Sequence, residues 1–355
     1  MATPNAPTDN FSWLPEELES VASRLARADE CAFNIGDVAS KWSADGPLGF
    51  EQVRRGGQVQ TFLKSVKPVP PVVTLLFSEA VNHLRAAIDN VIWYLVEREH
   101  GQLSGFKATL VNMPIHESLE AFDKWTKRRV KEGITVFGPG TPLGRRLRIL
   151  QPYVDTKSDV PSMSEALAAM MGHKVEYAQP LRLLQAYSNE DKHRAIRVAA
   201  ARTFSSTDAS PLAEQSLYHQ ELKVGDPMGP PAPWGQVSIL ETNTALMIQR
   251  PDPFAAWVNP VNDLNAMRRH VSQVVVPVLL TGLQMTDGLP PQIDLGDNGL
   301  SNRERLAAAS WDGADTRLMS LVRERYHEAI GRGVQFTPVA NGTDATDEEP
   351  QDGMR

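Results

Sequence analysis

One long segment constrains the fold more than any other. From Val72 to about Arg98, apolar residues return every three or four positions, so that Val73, Phe77, Ala80, Leu84, Ile88, Val91, Ile92 and Leu95 fall on one side of a helical wheel. A helix of that length runs about 40 Å, and its apolar stripe must be covered by other elements along the whole distance. A second stripe lies upstream. Leu18, Val21, Leu25, Ala28, Ala32 and Ile35 alternate three and four apart after Pro15-Glu16-Glu17. Proline is tolerated in the first turn and acids face the positive end of the helix dipole, as helix starts often show. Each stripe predicts a long amphipathic helix able to pack against a neighbour.

Around these, Gln58 to Val66 reads as a strand stopped by Pro68, Pro70 and Pro71, and Arg54-Arg55-Gly56-Gly57 reads as a turn before it. Leu119 to Glu132, Leu143 to Tyr153 and Ser164 to Gly172 read as shorter helices, Leu181 to Tyr187 leads into a charged cluster, and Ala195 to Phe204 fits either a helix or a strand. The Pro-, Gly- and Ser-rich stretch Ser205 to Trp234 marks a change of character. Val237 to Leu240 and Ala245 to Gln249 then read as two short strands about the turn-like Glu241-Thr242-Asn243-Thr244. Helical spacing returns over Val261 to Leu283 despite Pro277, and over Arg303 to Ile330. Strands and helices do not alternate, which argues against a doubly wound parallel sheet. The expected fold is α+β and predominantly helical, a long-helix bundle with a small antiparallel sheet inserted. Residues 14–335 are expected to form one domain, helical over 14–202, with short strands over 203–258 and helices over 259–332. Residues 1–13 read as a flexible N-terminus. Residues 336–355, with Asp344, Asp347, Glu348, Glu349 and Asp352, read as a disordered acidic tail.

Of 355 residues 41% are hydrophobic, enough for a substantial core, and the net charge of -7 gives no global attraction to nucleic acid or acidic membranes. The single cysteine, Cys31, falls on an apolar helix side and reads as a buried thiol; it cannot form an intramolecular disulfide. Residues 1–13 lack the basic start and apolar stretch of a signal peptide. The longest apolar runs, Val91 to Val96 and Val274 to Leu280, are too short to span a bilayer. A cytoplasmic protein is expected.

Opposite its stripe the long helix carries Glu79, Asn82, His83, Asp89, Asn90 and Glu97, with Arg85 at the boundary. Asn82, Arg85 and Asp89 are three and four residues apart and line one edge. Such groups beside a core cost free energy unless paired or used. One reading is structural: Arg85 and Asp89 pair with each other or with a neighbouring helix and fix the packing. The other is functional: the polar edge lines a cleft in which Arg85 holds an anion such as a phosphate. A second cluster, Ser188-Asn189-Glu190-Asp191-Lys192-His193-Arg194, reads either as a helix start or turn, or as a site. In the site reading His193 transfers a proton, Lys192 and Arg194 hold its anionic partner, and Asp191 orients it or pairs with Arg85. The two readings differ in whether the clusters converge in space.

The residues Leu84-Arg85-x-Ala87-x-Asp89, Leu150-Gln151-Pro152-Tyr153 and Asp191-Lys192-His193-Arg194, in this order, resemble an uncharacterised family of bacterial and phage proteins. The resemblance covers roughly Leu18 to Arg202 and the helix after Val261. The family's arginine and histidine flank four residues, a spacing similar to the R-x4-6-H motif of HEPN-type helical ribonucleases. The family itself implies no function; the similarity to HEPN proteins implies a helical RNA-binding protein or endoribonuclease, in phage defence or host–phage conflict. Here Asn90 stands where that family has histidine. Asparagine can hydrogen-bond a phosphate or a 2′-hydroxyl but cannot serve as a general base. On this analogy cleavage is lost, or His83 or His193 takes over.

Lys124, Lys127, Arg128, Arg129, Lys131, Arg145, Arg146 and Arg148 form a basic island interleaved with Phe122, Trp125 and Phe137. One reading is that it tracks the backbone of an RNA or holds another phosphate-containing ligand; the favoured one is a solvated helix face, since charge runs are common on surfaces. Gly138-x-Gly140-x-x-x-Gly144 lacks the preceding strand and the Lys-Ser/Thr of a phosphate loop, and His173-x-x-Glu176 is a lone pair without a second pair at metal-ligand spacing. No cofactor or metal is expected. Two readings therefore stand: a non-catalytic binding or interaction protein of HEPN-like type, with a possible protein partner, and a HEPN-like endoribonuclease or RNA-binding protein. In the second, Arg85 stabilises the scissile phosphate and His193 moves the proton.

Overall fold

The two stripes meet. In a computed structural model, which describes residues 11–171, 174–194, 196–207, 220–235 and 240–332, helix α1 (Glu19–Ala44) lies along α2 (Val72–His100). Leu18, Val21, Leu25, Ala28, Ala32 and Ile35 are all buried, and so are Val73, Phe77, Ala80, Leu84, Ile88, Val91, Ile92 and Leu95. Cys31 is buried in the same core, where burial pushes its thiol pKa up to about 12, so it stays protonated and inert. Among the described residues the remaining helices are α3 (Leu119–Lys131), α4 (Pro142–Ile149), α5 (Glu165–Met171), α6 (Pro180–His193), α7 (Pro260–His270), α8 (Val276–Thr281), α9 (Asn302–Ala307) and α10 (Ala314–Arg332). α7 and α10 pack against α1, and α6, α7 and α8 pack against α2. Several start on a capping residue. Ser118 accepts from the Ala121 amide, and Thr141, Gln179 and Asn259 each cap a helix that opens with proline.

Small antiparallel sheets are set between these helices. The strands are β1 (Leu48–Arg55), β2 (Gln58–Val66), β3 (Val160–Pro161), β4 (Tyr177–Ala178), β5 (Val198–Thr207), β6 (Gln220–Glu221), β7 (Ala232–Pro233), β8 (Leu240–Gln249) and β9 (Trp257–Val258). They form sheets of order β1-β2-β7, β3-β4 and β6-β5-β8-β9. The fold is thus a predominantly helical α+β fold with small antiparallel sheets.

Several local expectations change. Leu48 to Arg55 is a strand, with only Gly56-Gly57 left as the turn; both glycines have positive φ, as a tight hairpin favours. The residues after Ala195 form a strand, and the part of the chain expected to be helical holds β1, β2, β3, β4 and the start of β5. The expected turn at Glu241 to Thr244 lies inside β8, because β5 pairs with β8 over its whole length, from Val198–Ile248 to Thr207–Leu240. Val237 to Ile239 fall outside the described residues, as do 1–10 and 333–355, which include the expected acidic tail. Phe11 is buried, and its carbonyl accepts from Arg303, so the packed chain extends ahead of the expected boundary at residue 14.

The single helix expected over Arg303 to Ile330 is two. α10 begins afresh at Ala314, whose backbone amide donates to the buried carboxylate of Asp29 in α1 at 3.1 Å. Asp29 also pairs with Arg268, at 3.3 Å, and with Arg317. The helix expected over Val261 to Leu283 runs unbroken from Pro260 to Thr281 but carries a π-helical turn, Val271–Val275. Pro277 has no amide hydrogen for the carbonyl four residues back, that of Gln273. The wider turn accommodates the ring, and the Gln273 carbonyl accepts instead from the Met285 amide at 2.9 Å.

Candidate functional site

Arg85 and Asp89 close on the backbone of one residue, Met113. The Arg85 Nη2 donates to the Met113 carbonyl at 2.8 Å, and the Met113 amide donates to Asp89 Oδ1 at 2.8 Å. Arg85 Nε and Asp89 Oδ2 lie 3.3 Å apart, and the two side chains are 20% and 31% exposed. Both polar groups of the Met113 backbone are thereby satisfied by a charged pair one helical turn apart. Gln151 holds the continuation of the same segment. Its Nε2 donates to the Pro114 carbonyl at 3.0 Å and to the Leu147 carbonyl at 2.8 Å, while its Oε1 accepts from the His116 amide at 2.9 Å. Two of the sequence elements singled out for their resemblance therefore clamp one stretch of chain, Met113 to His116, against α2 and the end of α4.

The two charged clusters touch at one point. Asn82 Nδ2 donates to Asp191 Oδ2 at 3.2 Å, tying α2 to the last turn of α6. The cluster is thus the end of a helix and not a start: it closes α6, and the Arg194 amide caps the Glu190 carbonyl at 2.6 Å. Helical geometry then separates the expected partners. His193 follows Asp191 by two residues, about 200° around the helix. When Asp191 faces α2, His193 faces away from it. His193, Lys192 and Arg194 are all exposed. Arg194 lines an open groove of 530 Å³ with Glu190, Arg197, Thr74, Pro70 and Pro71, whereas Arg85 does not border it. Neither this groove nor the one beside Lys124 is lined by Arg85 or His193.

Glu79, His83 and Asn90 on the polar edge of α2 lie against α1. Glu79 accepts from Arg27 Nε at 2.6 Å and lies 3.7 Å from His83 Nε2, and Arg27 also reaches Glu30 at 2.8 Å. The Arg27 guanidinium holds the Glu79 carboxyl below its usual range. Burial pushes His83 below the usual histidine value, so it is neutral at pH 7. With its amide oriented so that donors meet acceptors, Asn90 donates to the Ala86 carbonyl at 3.1 Å and accepts from Arg24 Nε at 3.0 Å. The residue at the position of the family histidine is thus part of a helix–helix contact.

The basic island breaks into small pieces. Arg128 and Arg129 both pair with Glu132, at 2.9 and 2.7 Å, and Arg129 also stacks on Trp125. Arg146 donates to the carbonyls of Leu279 and Leu280, and Arg145 to that of Gly140. Lys124 and Lys127 line a shallow groove of 620 Å³, but Glu120 and Asp123 share it. Comparison of the chain with family models, with curated proteins and with solved structures finds no match.

One fully buried pair of charges carries no motif in the sequence. Arg250, just after β8, and Asp263, in the first turn of α7, form a bidentate pair: Nε to Oδ2 at 3.0 Å and Nη2 to Oδ1 at 2.8 Å. Tyr187 of α6 donates to the same carboxylate at 2.8 Å, and Arg250 also donates to the Val160 carbonyl at 3.2 Å. Glu176 accepts from the Ala255 amide at 2.9 Å and lies 3.4 Å from Arg250, so its place is in this network; His173, its expected companion, lies outside the described residues. Among the described residues no three His, Cys, Asp or Glu side chains gather as a metal site would require, and no helix is long and apolar enough to cross a membrane.

Proposed function

We propose that the protein is a non-catalytic interaction protein of HEPN-like helical type, in which the polar edge of α2 organises packing. The observation that carries this reading is the Arg85–Asp89 clamp on Met113. An arginine whose Nη2 is held by a backbone carbonyl and whose Nε faces its own aspartate has its charge offset and its fork oriented inward, which disfavours a phosphate. Asn90 supports the same reading, since it is taken by Arg24 and cannot accept a proton from a 2′-hydroxyl. The interspersed acids and internal ion pairs of the basic island offer no continuous row of free cations to a nucleic-acid backbone.

The test compares the intact protein with Arg85→Ala, using labelled single-stranded RNA and urea unfolding in parallel. Neither protein is expected to bind the RNA tightly or cut it. Arg85→Ala is expected to lose about 1–3 kcal/mol of stability, the range for removing a charged hydrogen-bond donor from a partly buried acceptor. RNA cleavage or tight binding by the intact protein, lost in a variant that unfolds at the same urea concentration, would refute the proposal and favour the nuclease reading.

A further inference from the structure

β1 is an edge strand. It pairs with β2 along its inner side over all eight residues, from Leu48–Val66 to Arg55–Gln58. No other described element packs substantially on it. An edge of this length presents a row of unused backbone donors and acceptors. One face of the hairpin, with Phe50 and Leu63, packs on the small cluster of Leu222 and Met228. Glu51, Val53 and Arg55 alternate with that face and lie together on the other.

The charges on this outer face are what select a partner. Glu51 and Arg55 are both exposed, and among the described residues neither has an ionic or hydrogen-bonding partner. They cannot satisfy each other, because four residues of extended strand separate them by about 13 Å. Arg54, by contrast, is already placed over the Trp234 ring at 4.6 Å on the opposite face. Glu51 and Arg55 sit symmetrically about Val53.

We propose that β1 pairs antiparallel with β1 of a second copy of this chain, about a two-fold axis through Val53. A two-fold axis perpendicular to the sheet keeps like faces together, so the permitted registers pair residues of the same parity. In the register centred on Val53, Glu51 of each copy lies opposite Arg55 of the other, and Val53 meets Val53. Two ion pairs form from four charges that have no other partner among the described residues, on a contact that uses the same patch twice. Moving the axis one residue either way leaves one of the two charged positions opposite Val53 and the other opposite a glycine. Moving it two residues brings Glu51 against Glu51 or Arg55 against Arg55, which repel. The charges that discourage pairing with an arbitrary strand therefore favour this one.

The test is the solution mass of the full chain, by light scattering or sedimentation at micromolar concentrations, for the intact protein, Glu51→Arg, Arg55→Glu, and an equal mixture of the two variants. The intact protein is expected at twice the monomer mass and each variant alone as a monomer. In the first variant two arginines face two arginines, and in the second two glutamates face two glutamates. The mixture is expected to return to the dimer, since each copy then supplies the charge that the other lacks. Both positions are exposed, so the variants fold, as circular dichroism will verify. An intact protein that remains monomeric, as it would if the edge served a different partner, overturns the proposal; so do single variants that remain dimeric, or a mixture that does not recover.

Discussion

Asp263→Ala is expected to destabilise the protein by about 3–5 kcal/mol, the range seen when one partner of a buried ion pair is removed. Asp263 and Arg250 are 0% and 1% exposed, so no water can replace the lost carboxylate without opening the core. The variant leaves the Arg250 guanidinium with backbone carbonyls and the more distant Glu176, and leaves the Tyr187 hydroxyl, also fully buried, without its acceptor. A substitution that removes both charges behaves differently. Arg250→Met together with Asp263→Leu takes away the desolvation cost as well as the attraction, so the double variant is expected to be more stable than Asp263→Ala. Urea unfolding of the single and double variants measures both values. A single-variant loss under about 1 kcal/mol would mean that the pair is far more hydrated than its burial indicates. The network joins the end of β8, α6, α7 and the start of β3, so its loss should also loosen the sheet against the helices.

The helical part of this architecture is legible in the sequence because its signal is periodic. Every residue of the two stripes on α1 and α2 is buried, since only a helix brings a three-four alternation of that length onto one face. The strands are less legible where neither face is fully buried. In β1 the sequence Leu48-Gly49-Phe50-Glu51-Gln52-Val53-Arg54-Arg55 ends in charged residues beside two glycines, which looks like a turn unless its pairing partner is known. Thr242-Asn243-Thr244 has turn composition yet continues β8, because the ladder to β5 supplies backbone bonds that local preference would otherwise settle. The break before α10 is invisible for a related reason: what starts the new helix is Asp29, 285 residues away from the amide it caps.

Site residues divide along the same line. That the Asn82 and Asp191 clusters touch follows from the packing of α2 against α6, and their common polarity hints at it. That His193 turns away from Asp191 becomes visible only once both are known to lie in one helix, and a helix start at Ser188 would hide it. Arg250 and Asp263 give no signal, because each is a single charged residue at the end of an element, where solvent exposure is the ordinary expectation. Gln151 stands out in the sequence only as part of a pattern. Its three hydrogen bonds give the pattern a physical reason, since a buried amide serves the backbone around Met113 to His116 from both its oxygen and its nitrogen.

Acid is expected to destabilise the protein through His270. This side chain is buried at the end of α7, and its Nε2 has no hydrogen-bond partner among the described residues; Asp155 Oδ2, also unpartnered, lies 4.0 Å away. Burial lowers the histidine pKa from 6.5 to about 4, and the attraction of Asp155 offsets only part of that. Between those two values the unfolded chain binds a proton that the folded chain refuses, so stability falls as pH drops through the window and is constant above it. A shift of this size corresponds to about 3 kcal/mol on order of magnitude. His270→Leu removes the titrating group. Unfolding free energies measured in urea from about pH 7 to about pH 4 should therefore fall more steeply for the intact protein than for the variant, by about 3 kcal/mol over the interval. Parallel profiles would mean that His270 is protonated in the fold, with the Asp155 carboxylate, and not burial, setting its charge.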